Sequence, residues 1–207
     1  MRIKTALLSL AVVAFASGAQ AQNNDYSDCN QSKDHALAID ACTRVLEKNP
    51  NDARAYHNRA LAFDATGLQD RALEDFNSAL GLNKGDFAIW IDRGNVYFAK
   101  AQWDKALEDY DAAIKINTRS HIALRNRGLV HSRQGNHEKA VREYDRAIKV
   151  NPTYADAFNS RGYSYQVKGN TNKAKSDYCT ALKYDRNHEL ARNNLKSIGV
   201  QNCPSSS

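Results

Sequence analysis

The sequence has few of the residues from which metal and redox centres are built. Its 207 residues include four cysteines, six histidines, two tryptophans and one methionine. Cys29, Cys42, Cys179 and Cys203 form no C-x-x-C pair and sit in no Cys/His cluster, which argues against a zinc site and against a redox-active dithiol. None of His35, His57, His121, His131, His137 and His188 belongs to an H-E-x-x-H motif or to another pair at i, i+4 spacing. Also absent are G-x-S-x-G, a phosphate-cradling glycine loop and a dinucleotide fingerprint. No catalytic residue, metal or cofactor is therefore expected, since an activity has to be argued from a site. Beyond Phe15 no stretch is apolar enough to span a bilayer. A net charge of +6 without a concentrated basic stripe does not fit a nucleic-acid partner.

Two features are present in strength, a leader and a repeat. Arg2 and Lys4 precede an apolar run from Ala6 to Phe15, and Ala19-Gln20-Ala21 supplies a small-x-small site. Residues 1–21 read as a cleavable export signal whose apolar core is too short to be a spanning helix. Cleavage is expected after Ala21, leaving a periplasmic or secreted protein. Cys29 lies too far downstream for a lipid anchor. Loss of Arg2 and Lys4, with no acid, lowers the net charge from +6 to +4.

The repeat has a period of 34. Tyr56, Trp90, Leu124 and Phe158 correspond, as do Ala60, Gly94, Gly128 and Gly162. Further along, Ala72, Ala106, Ala140 and Ala174 recur, then Phe76, Tyr110, Tyr144 and Tyr178. Each copy reads as two helices with small residues where their axes approach and large ones beside them. Gly67, Gly135 and Gly169, with Ala101 in the remaining copy, mark left-handed turns between the two helices. Asn49-Pro50 and Asn151-Pro152 read as helix stops. Arg59, Arg93, Arg127 and Arg161 recur in step with Asp75, Asp109, Glu143 and Asp177. One cation and one anion per copy read as a partly buried bridge within or between repeats, in preference to a ladder for binding anions.

Trp90, Gly94, Tyr97, Ala106 and Tyr110 resemble the tetratricopeptide repeat pattern, with arginine at position 93 where leucine is usual. The resemblance implies an all-α fold, a right-handed α-solenoid of antiparallel helix hairpins. Four repeats are expected, at 53–86, 87–120, 121–154 and 155–188. A half repeat at 22–52, whose first helix is degenerate or missing, would precede them. A capping helix over 189–198, packed through Leu190, Leu195 and Ile198, and a tail over 199–207 would follow. The ends of such an array lie apart, so disulfide geometry admits Cys29–Cys42 and Cys179–Cys203. Free buried cysteines are the competing reading.

In this family the first helices line the concave side. The positions expected there include Ile91, Asn95 and Phe98, then Arg125, Asn126, Leu129 and Arg133, then Tyr163. Arginines and exposed aromatics are common hot spots, and asparagines can hold an extended backbone. One subtype of the family grips a terminal carboxylate with asparagines and basic residues. Asn95 and Asn126 match it, but Ile91, Asp156 and Ser160 stand in the basic places, so that clamp is incomplete. The expected function is a non-catalytic scaffold binding a protein or peptide in the bacterial envelope. Self-association into homo-oligomers, or service as an accessory of cell-wall or secretion machinery, is the alternative.

Overall fold

The computed structural model describes residues 24–30 and 32–203, and every described element is helical. The expected signal at 1–21 lies outside the described residues. A short helix, α1, covers 24–30. It is followed by α2 (His35–Lys48), α3 (Ala53–Ala65), α4 (Gln69–Leu82), α5 (Phe87–Ala99) and α6 (Trp103–Ile116). Then come α7 (His121–Arg133), α8 (His137–Val150), α9 (Ala155–Val167), α10 (Thr171–Tyr184) and α11 (Glu189–Ser197). The paired helices of successive 34-residue steps form an α-solenoid. The chain divides into two compact units, one up to Ile89 and one from Trp90.

Helix starts follow local chemistry. Asp34, Asp52 and Ser120 cap α2, α3 and α7 by accepting from backbone N–H groups of the first turn. The turns behave as the sequence predicts. Gly67, Gly135 and Gly169 have φ of 80°, 77° and 75°, and Ala101 adopts 55° without glycine's freedom.

In the first unit α2 packs on α3, and α3 on α4. Cys29, Cys42, Val45, Leu46 and Ala55 form one cluster, with Tyr56 against it. The stretch before α2 carries no apolar period, and the sequence assigns it no helix, yet α1 forms. Its anchors are not periodic. Cys29 is joined to Cys42 with Cα atoms 4.7 Å apart, and Asp25 accepts from Arg44 and Lys48 at 2.7 and 2.9 Å. Those two cations hold the Asp25 carboxyl below its ordinary value, Lys48 first.

In the second unit α7 packs on α8, α8 on α9, α9 on α10 and α10 on α11. Its centre is a column of tyrosines, Tyr110, Tyr144 and Tyr178, all closed to solvent. A Cβ at Gly94, Gly128 or Gly162 would stand 2.8, 2.6 or 2.8 Å from a ring carbon of the matching tyrosine. Glycine there is a steric requirement of the aromatic column. At the far end Cys179 is joined to Cys203 with Cα atoms 5.5 Å apart, as expected. Tyr178, Leu195 and Ile198 pack beside this bridge.

The capping helix departs from expectation at one place. Leu195 is buried and Ile198 half-buried, but Leu190 is 62 % exposed. The small Ala191 takes the buried place on that face. Leu190 therefore does not pack the end of the array.

Candidate functional site

The arginines at the 34-residue period are fully committed. Arg59 meets Asp75 through Nε at 2.7 Å and Nη2 at 2.9 Å, Arg93 meets Asp109 at 2.9 and 2.7 Å, and Arg161 meets Asp177 at 2.8 and 2.7 Å. Each is the two-pronged fork that fits a carboxylate. Arg127 reaches only Oε2 of the longer Glu143, at 3.2 and 2.5 Å. Two of these arginines also bridge to the preceding repeat, Arg127 to Asp111 and Arg161 to Asp145, each at 2.6 Å. The row is thus both within and between repeats. Burial pushes the Asp109 and Asp177 carboxyls up, against the pull of Arg93 and Arg161. These pairs position helices, and their energy goes largely to offsetting desolvation.

A second set of arginines has no such partner. On α7, Arg125, Leu129 and Arg133 stand at i, i+4 and i+8, one face of the helix. Arg125 Nε donates to Ser160 Oγ and its Nη1 to Asn126 Oδ1, both at 3.3 Å. Among the described residues neither Arg125 nor Arg133 pairs with a carboxylate. With Phe98 of α5, Tyr163 and Val167 of α9, and Leu190 of α11, this face lines a hollow of about 530 Å³. Tyr163 is 47 % and Val167 51 % exposed, so their apolar area is left outside the core. Ser132, His137, Asn159, Ser160 and Asn194 supply polar lining, and no carboxylate does. Asn194 Nδ2 donates to Asn159 Oδ1 at 2.9 Å.

Tyr144 lines the same hollow. Its equivalents are satisfied, since Tyr110 OH donates to Asn95 Oδ1 at 2.8 Å and Tyr178 OH to Gln166 Oε1 at 2.6 Å. The Tyr144 hydroxyl is buried without a partner. Ser132 stands beside it, but no hydrogen bond of acceptable geometry forms. The reason lies in the repeat: Leu129 occupies the place that Asn95 holds one period earlier, and the shorter Ser132 the place that Gln166 holds one period later. Burial raises the Tyr144 phenol far above its ordinary value, while the positive fields of Arg125 and Arg133 oppose that rise.

Of the expected site residues, the structure gathers Phe98, Arg125, Leu129, Arg133 and Tyr163 around one hollow. Asn95 and Asn126 do not line it; Asn126 is buried and its Nδ2 donates to Asn95 Oδ1 at 2.9 Å. Ile91 is buried, 6 % exposed, and does not line the hollow. An apolar side chain at that place on α5 gains more from burial than from facing water. Sequence reasoning did not assign Val167, His137, Leu190 or Asn194 to the site. Val167 was accessible to it: Asn159, Tyr163 and Val167 are the Arg125, Leu129 and Arg133 stripe carried forward one period.

Known proteins share these repeats and this fold. A family model described as TPR repeat matches residues 94–135 and 133–169, and models described as Tetratricopeptide repeat match 41–74 and 155–188. No curated protein matches the chain. Among solved structures, MamA is similar at 26 % identity, covering 74 % of this chain and 90 % of its own, with a TM-score of 0.67. MamA from Desulfovibrio magneticus is similar in fold at 18 % identity, covering 83 % and 97 %, with a TM-score of 0.72. YrrB, a TPR protein with an unusual peptide-binding site, is similar in fold at 22 % identity, covering 85 % and 90 %, with a TM-score of 0.67. Proteins of this kind are non-catalytic interaction scaffolds, and by its repeats and its fold the chain belongs to the tetratricopeptide repeat family.

Proposed function

We propose that the chain is a non-catalytic scaffold of the bacterial envelope that holds a peptide segment in the hollow between α7, α9 and α11. One observation carries this reading: apolar side chains and two unpaired arginines surround a space that contains no carboxylate of its own. Such a surface costs stability in isolation and gains by being covered. YrrB, similar in fold, has a peptide-binding site, which supports the same use of this fold here. The envelope location rests on the leader-like residues 1–21 and on two disulfides, which persist in oxidising compartments. None of the helices in the described residues is long and apolar enough to cross a membrane.

The test is crosslinked capture from the native envelope with the wild type and with a triple variant, Phe98→Ala, Arg125→Ala and Tyr163→Ala. The variant is expected to lose the partner while its thermal unfolding still shows one folded array. Capture at the wild-type level would move the site elsewhere. Light scattering of the mature form separates this reading from self-association, and a monomer at all concentrations is expected.

A further inference from the structure

The spacing on α7 defines what the hollow can hold. Arg125 and Arg133 are eight residues apart on a helix, about 12 Å along its axis. Held apart by that backbone spacing, the two cations offer places for two anions. Leu129 lies midway on the same face, and the apolar side chains of Tyr163, Val167 and Leu190 share its hollow. The order along the helix is therefore cation, apolar, cation.

An extended chain advances about 3.3 Å per residue, and its alternate side chains share one side. Residues at i, i+2 and i+4 then span about 13 Å and point the same way. This matches the stripe in length and in order. We infer that the hollow binds an extended peptide segment of the pattern acidic–x–apolar–x–acidic, its two carboxylates on Arg125 and Arg133 and its central side chain on Leu129. This rests on reading the hollow as a peptide site, and it adds the chemistry of the occupant.

A second observation agrees independently. Beneath the stripe, Tyr144 keeps a buried hydroxyl with no partner. The two neighbouring repeats spend an amide on the same hydroxyl, through Asn95 and Gln166. In this repeat Leu129 stands at the Asn95 place and the short Ser132 at the Gln166 place, so neither amide is present, while Leu129 adds apolar lining to the hollow. The absence of any lining carboxylate gives the complementary charge an unopposed place. The incomplete terminal-carboxylate clamp uses other positions and is not needed.

Fluorescence anisotropy with labelled heptapeptides, both ends blocked, tests the pattern. The probe is Ser-Glu-Ser-Leu-Ser-Glu-Ser. It is compared with the same residues rearranged so that both glutamates flank the leucine directly, and with the double glutamine form. The spaced peptide is expected to bind about tenfold more tightly than the rearranged one, and the glutamine form to bind weakest. Arg125→Gln and Arg133→Gln are each expected to weaken the spaced peptide about five- to tenfold and to leave the glutamine form unchanged. Arg133 is exposed, so its variant keeps the question open if Arg125→Gln folds poorly.

Equal affinity for the spaced and rearranged peptides overturns the inference. So does a much tighter grip on the same peptide with a free C-terminus, which would make the chain end the occupant. If instead uncharged apolar peptides bind best and lose affinity in Phe98→Ala/Tyr163→Ala, the pattern fails while the hollow stands as a peptide site. If neither charged nor apolar peptides bind, and the triple variant still captures its partner, both readings fall.

Discussion

Two rows of arginine run through the second unit, and they have opposite fates. Arg93, Arg127 and Arg161 each find an acid 16 residues on and are spent on holding helices together. Arg125 and Arg133 share α7 with Arg127, yet they find no acid and face a hollow that contains none. Side-chain type is the same; the partner decides the role. A cation whose acid recurs at a fixed offset belongs to the fold, and one whose acid is missing is left for something outside it.

That contrast can be broken by substitution. Arg127→Ala would take from Glu143, 14 % exposed, its closer partner and leave it Arg146 at 3.1 Å, and would also cut the bridge to Asp111, so a loss of about 2 kcal/mol is expected in denaturant melts. Peptide affinity of the folded fraction should hardly change. Gly128→Ala comes next. In a free helix alanine would add about 1 kcal/mol, but here the new Cβ meets the Tyr144 ring at 2.6 Å, and a net loss of about 2 kcal/mol is expected. A gain in stability would show that the aromatic column yields more readily than its packing implies.

Leu129→Asn sharpens the comparison, because it restores the residue found at Asn95. The Tyr144 hydroxyl then has an acceptor, and the array should gain about 0.5–1 kcal/mol while losing peptide affinity. Stability and binding moving in opposite directions is the signature of a site; moving together, they would make Leu129 a packing residue.

The smallest effect concerns His131, which replaces Tyr97 and Tyr165 at a packing position. Burial lowers its affinity for a proton, and its Nδ1 is enclosed without a partner. The unfolded chain takes up that proton near the ordinary imidazole value of about 6.5, and the folded chain only at lower pH. Stability should therefore be level above that value and fall as pH drops through it, until the folded histidine titrates too. Thermal melts between neutral and acidic pH should show the slope, and His131→Tyr should reduce it.

Much of this was legible in the sequence because it is periodic. The 34-residue step fixes the hairpins, the glycines at Gly94, Gly128 and Gly162, the left-handed turns and the arginine–acid row. Disulfide pairing followed from the distance between the ends of an array. What escaped was non-periodic or a matter of facing. The α1 helix is held by Cys29 and by Asp25 against Arg44 and Lys48, none of which repeats. Leu190 has an apolar identity but stands on the outward side of α11, a distinction that Ala191 settles only in three dimensions. Ile91 has the same identity and is buried. The empty hydroxyl of Tyr144 needed the repeats to be superposed as hydrogen-bond networks.

The most direct measurement pairs melting with peptide titration on two variants, Arg125→Ala and Arg127→Ala, side by side. A crossed result is expected: Arg125→Ala melts close to the wild type and loses most affinity for the spaced acidic peptide, whereas Arg127→Ala melts lower and binds normally once folded. Two variants that lose stability and binding in parallel, or an Arg125→Ala that binds as well as the wild type, would contradict the division between a structural row and a binding row.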